Sequence, residues 1–103
     1  MIHVIATVEL QPNSREAFLK EYAKLVPLVK AEQGCIEYGA AVDVQSSSPA
    51  QVPMRDNVVT VVEKWESLEA LAAHAAAPHM QKYRGRVKDY VIRVSLQVLQ
   101  PVT

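Results

Sequence analysis

A chain of 103 residues with eleven basic and eleven acidic side chains is formally neutral, and half of its residues are hydrophobic. That balance leaves no electrostatic footprint for nucleic acid or an anionic membrane, and the length suits one modest core, a single domain over 1–103. No apolar run approaches the roughly 20 residues that span a bilayer, the N-terminus alternates instead of forming a signal-type block, and the lone Cys35 makes no internal disulfide, so a cytoplasmic location is expected.

Residues 2–10 alternate as a strand, with Ile2, Val4, Ala6, Val8 and Leu10 on one face and His3, Ile5, Thr7 and Glu9 on the other. Asn13 followed by Glu16 has capping-box spacing, so a helix is expected from about Ser14 to about Glu32. Phe18, Tyr22, Leu25 and Val29 recur at helical spacing, joined by Ala17, Val26 and Leu28. Pro27 lies inside this pattern and is expected to kink the helix; a stop near Val26 is the alternative. Gly34 closes the element, and residues 35–44 read as a second strand with small residues at 39–41.

A polar loop with two prolines, 45–57, leads into a Val- and Thr-rich strand from Val58 to about Glu66. Ser67 is an N-cap candidate for a helix of high propensity from Leu68 to Ala77. Pro78 breaks that helix and can start another, in which Met80, Tyr83 and Val87 form an apolar stripe. A last strand is expected over 90–100. The order β-α-β-β-α-β predicts an α+β fold: four antiparallel strands with helices on one face. The opposite face would leave His3, Ile5, Val91 and Leu99, or their alternates, uncovered, and a second copy packed face to face would cover them.

The residues that bear chemistry crowd into one stretch. Glu63 and Trp65 sit at a strand end, and His74 and His79 follow on the helical segment. A histidine suits a base at neutral pH because its ordinary pKa is about 6.5. Trp65 offers a flat face for an aromatic ring and an indole N–H; Tyr38 offers a further donor. Each has a plainer reading: Trp65 as core, Glu63 paired across strands with Arg93 or Lys64, His79 at the surface, Cys35 as a small buried residue. Met80 and Tyr83 fit either a core stripe or a cavity wall, and His3 is a further binding candidate. The two histidines are five apart, not the three or four that share a helical face, and no H-E-x-x-H or cysteine pair occurs, so no metal is expected. Lys82, Arg84, Arg86 and Lys88 read as a solvated face.

Gly34-Cys35-Ile36-Glu37-Tyr38 after a helix, then Val62-Glu63-Lys64-Trp65-Glu66-Ser67 leading into Leu71, His74 and Pro78-His79-Met80, resembles the antibiotic biosynthesis monooxygenase domain. The pattern "GC-x-x-Y … E-x-W … L-x-x-H-x-x-x-x-H" occurs in order, and the element order matches along the whole chain. The resemblance implies a dimeric α+β barrel of two ferredoxin-like sheets, each subunit with its own pocket. It implies a monooxygenase that needs no cofactor and acts on a quinol or similar phenolic aromatic with molecular oxygen. His74 or His79 would be the base, and Trp65, Glu63, Tyr38, Tyr83, Met80 and His3 would contact the substrate. Non-catalytic binding proteins and isomerases share the fold. Haem-degrading relatives carry an asparagine on the first strand where this chain has Thr7.

Overall fold

The computed structural model describes all residues, Met1 to Thr103. The elements are β1 (Ile2–Leu10), α1 (Arg15–Lys30), β2 (Cys35–Ala41), β3 (Val58–Trp65), α2 (Leu68–Ala76), α3 (Pro78–Val87) and β4 (Val91–Leu99). The strands form one antiparallel sheet in the order β2-β3-β1-β4, the ferredoxin-like topology. The helices lie on one face of it. No helix is long and apolar enough to cross a membrane.

Strand alternation decides which face is buried. Val4, Ala6, Val8 and Leu10 of β1 turn inward, and β3 opposes them with Val59, Val61, Glu63 and Trp65, all buried. Phe18, Tyr22, Leu25 and Val29 of α1 and Met80, Tyr83 and Val87 of α3 close the core from above. Phe18, Tyr22, Tyr38 and Tyr83 form a connected aromatic cluster with ring centroids 5.7 to 6.4 Å apart.

Helix α1 runs on through Pro27 instead of stopping at Val26. Pro27 is on the exposed face, where water can satisfy the carbonyl one turn earlier that loses its N–H partner. Leu28 sits there too, half exposed, and does not join the apolar stripe. The helix start also differs from expectation. Ser14, not Asn13, is the N-cap residue, and no side chain caps it; Asn13 instead takes a left-handed turn conformation at φ 64°. The second strand is shorter than its alternation suggested, ending at Ala41, so Val42 and Val44 lie in the loop. That loop is tied across its base by Arg55, which donates to both carboxylate oxygens of Asp43 at 2.9 and 2.8 Å.

The helices do not reach the sheet edge at β4. Val94, Leu96 and Val98 pair with Val8, Ala6 and Val4, so they belong to the helix-covered face, yet each remains about half exposed. The other face is more mixed than alternation alone implied. Ile5 and Val62 pair at its centre, with Gln97 beside Ile5 and Leu99 beside His3, and the Glu9–Arg93 and Glu37–Lys64 ion pairs lie to either side.

Candidate active site

The site begins at the end of β3. Glu63 and Trp65 are two residues apart, so both point to the helix side, and the indole N–H donates to Glu63 Oε1 at 2.9 Å. Burial pushes the Glu63 carboxyl above the usual carboxylate range; the Trp65 N–H and the nearby His74 oppose that shift. Tyr38 of β2 stands directly across from Glu63 in the sheet and is also buried.

Ser67 then starts α2, its hydroxyl accepting from the Ala70 N–H at 3.1 Å. Leu71 and His74, one turn apart, face the sheet. His74 packs against Trp65, with ring centroids 4.6 Å apart, and edge-on to Tyr38 at 5.6 Å. Pro78 begins α3 after the break at Ala77 and redirects the chain. As a result His74 Nδ1 and His79 Nε2 lie 2.9 and 2.7 Å from the same oxygen, Oε2 of Glu32.

Between sheet and helices lies a cavity of about 690 Å³. Sixteen of its twenty lining residues are hydrophobic, so the walls suit a small, largely apolar molecule. The exceptions fall in two pairs: Glu63 with His74, and Arg84 with Lys88. The exposed side chains of β4, Val94 and Leu96, form one flank.

Of the residues singled out in the sequence, His74, Glu63, Tyr38, Tyr83 and Met80 line this cavity. Trp65 is fully buried beside it, its N–H already given to Glu63. His79 is off the cavity wall, beside Glu32, with a quarter of its side chain exposed. His3 pairs with Lys64 and Leu99 on the sheet face away from the helices, outside the cavity. Neither cross-strand partner considered for Glu63 engages it: Arg93 binds Glu9 and Lys64 binds Glu37. Two of the basic residues read as a solvated face, Arg84 and Lys88, are exposed and also border the cavity, one turn apart below Met80. Arg84 donates to the Ala75 carbonyl at 2.9 Å and so ties α3 to the end of α2.

A family model described as antibiotic biosynthesis monooxygenase matches residues 1–86. The chain belongs to the antibiotic biosynthesis monooxygenase family. Strand β4, beyond the matched residues, completes the same sheet. The chain is 38% identical over 103 residues to "Probable quinol monooxygenase YgiN" of Escherichia coli (strain K12), covering 98% of each. Its fold is similar to Rv0793 from Mycobacterium tuberculosis, with a TM-score of 0.80 at 25% identity, covering 99% of this chain and 95% of that one. PA3566 from Pseudomonas aeruginosa matches with the same TM-score at 24% identity, covering 99% and 94%.

Most of the sequence pattern comes together in the fold, while its last histidine, His79, lies off the cavity wall beside Glu32. The Tyr38, Glu63 and His74 of the motif meet at the polar part of the cavity wall, with Trp65 packed against the imidazole. Burial raises the pKa of the Tyr38 and Tyr83 hydroxyls well above the ordinary tyrosine value, so both stay protonated donors near neutral pH. Glu32 had no signal in the sequence. It is an acid in the turn after a helix, and only the tertiary fold brings it to the histidines.

Proposed function

We propose that this family member is a cofactor-free monooxygenase of small phenolic or quinol-type aromatics, with His74 as the base. The observation that carries the reading is the cavity itself: apolar walls for a flat ring and for oxygen, with the titratable side chains of His74 and Glu63 set into them. Without a flavin or metal, the substrate must supply the electrons. Removal of its hydroxyl proton by His74 leaves an electron-rich phenolate that reduces oxygen. Tyr38 and Tyr83 line the same cavity, and their hydroxyls would serve as hydrogen-bond donors for a developing oxyanion. The name of the E. coli relative supports the quinol class.

The working unit proposed is a cytoplasmic homodimer. The half-exposed row Val94, Leu96 and Val98 supports it, through the helix side of the β4 edge instead of the helix-free face expected from alternation, because a monomer would leave that apolar strand and the adjoining cavity flank in water.

Oxygen uptake with a panel of quinols tests the reaction. Wild-type protein is expected to turn over at least one, and His74→Ala to lower kcat by about 100-fold or more. Turnover that His74→Ala does not slow overturns the assignment of the base. Ligand binding without turnover would instead identify a binding protein, and turnover under strict anaerobiosis an isomerase.

A further inference from the structure

His74 has two ring nitrogens, and one is already committed. Its Nδ1 lies 2.9 Å from Glu32 Oε2, and the ring is held between the Trp65 indole and the Tyr38 edge. The side chains of His74 and Glu32 are only 7% and 12% exposed, so this contact is shielded from water. An ionised carboxylate only accepts. Nδ1 must then carry the hydrogen, which places the lone pair of the neutral ring on Nε2, the free nitrogen of a side chain that lines the cavity. His79 makes the second contact to the same oxygen, at 2.7 Å, and by the same rule donates its Nε2–H.

We propose that Glu32 is a positioning residue for His74, and that His79 holds Glu32 in place. This rests on the reading of His74 as the base. The proton step balances within the site. The substrate hydroxyl gives its proton to His74 Nε2, and the bonding pair stays on the substrate oxygen. His74 becomes an imidazolium with an N–H on each nitrogen, and the Glu32 carboxylate offsets the new charge through the Nδ1–H contact. Glu32 fixes the tautomer before the transfer and stabilises the cation after it, without touching the substrate. His79 gives that carboxylate a second donor. A lone acceptor on the turn after α1 would otherwise be free to rotate away from His74.

Two measurements test this, and the first needs no turnover. Nitrogen-15 NMR of the histidine rings should find neutral His74 as the Nδ1–H tautomer. In Glu32→Ala it should lose that preference for the Nε2–H form. A wild-type His74 protonated on Nε2, or a tautomer that Glu32→Ala leaves unchanged, overturns the proposal even if the enzyme is active. The second is kinetic. Glu32→Ala should lower kcat about 10- to 100-fold while KM changes little, because Glu32 is not a lining residue. His79→Ala should lower kcat less, and His79→Gln, which restores an N–H donor, should recover part of the loss. An unchanged kcat in Glu32→Ala overturns the proposal; a loss seen only with His74→Ala would leave the base standing and remove its partner. If Glu32→Ala does not fold, Glu32→Leu, which has no acceptor atom on its side chain, serves in both measurements.

Discussion

Trp65 gives its only polar hydrogen to Glu63, its neighbour two residues back on the same strand and the same face, at 2.9 Å. The indole thereby becomes part of the scaffold. It is fully buried, holds the carboxylate with its N–H, and supports the His74 ring with its face. In the proposed function, a substrate in the cavity would meet Glu63 and His74, and Trp65 would act through them.

Trp65→Phe should therefore cost about 2–4 kcal/mol, from lost packing volume and from a buried carboxylate deprived of its donor. The two parts can be separated by a double-mutant cycle with Glu63→Leu, which removes the acceptor, measured by urea unfolding. The two substitutions are expected to be non-additive, because the variants share one hydrogen bond.

Glu63 makes stability depend on pH. Its folded-state pKa is raised by burial, so in the window above its ordinary value of 4.5 the native protein holds a proton that the unfolded chain has released. By linkage, this contribution to stability is complete below that window and is lost as pH rises through the folded pKa. Glu63→Gln keeps an acceptor for the indole and removes the titration. Melting temperatures taken from about pH 4 to about pH 7 should show the variant gaining on wild type as pH rises. A constant difference across that range would contradict the burial argument.

Gly34 positions α2. It adopts φ +86°, and a Cβ built on it would lie 2.5 Å from the Ala70 Cβ. Gly34→Ala thus incurs both a left-handed backbone penalty and a clash with the helix that carries His74, for about 2–4 kcal/mol. Activity in any surviving folded fraction should fall as well, since α2 must shift. Chemical denaturation and oxygen uptake on the same sample check both.

Ser67 caps the N-terminus of the same helix. Ser67→Ala leaves the Ala70 N–H without its acceptor and should cost about 1 kcal/mol, read as a lower denaturation midpoint at unchanged slope.

The proposed dimer predicts a response at β4. Wild-type protein should elute as a dimer at micromolar concentration. Leu96→Lys, on the half-exposed apolar row, should shift it toward monomer. Elution of the wild type as a monomer would remove the assembly from the proposed function.

Much of this was written in local pattern. Alternation in β1 and β3 marked the buried face, the Phe18-Tyr22-Leu25-Val29 spacing marked α1, and Ser67 and Pro78 marked the starts of α2 and α3. Those signals are short-range: period two for a strand, near four for a helix, and a cap at a fixed offset. The family motif likewise named Tyr38, Glu63 and His74 together, and they do meet at one wall. What the linear chain did not carry was the partner of each polar atom. Two histidines five apart gave no shared helical face, yet the turn at Pro78 brings both to Glu32, more than forty residues away in the chain. Trp65 could be read as core or as a ligand platform, and only the tertiary structure shows its indole fully buried with the N–H given to Glu63. Val94, Leu96 and Val98 alternate as well as any core strand, but they are bare because the helices stop short of the sheet edge. Burial and hydrogen-bond partnership depend on which surfaces meet, and that is set by packing in three dimensions, whereas the periodicities that define strand and helix are set by backbone geometry alone.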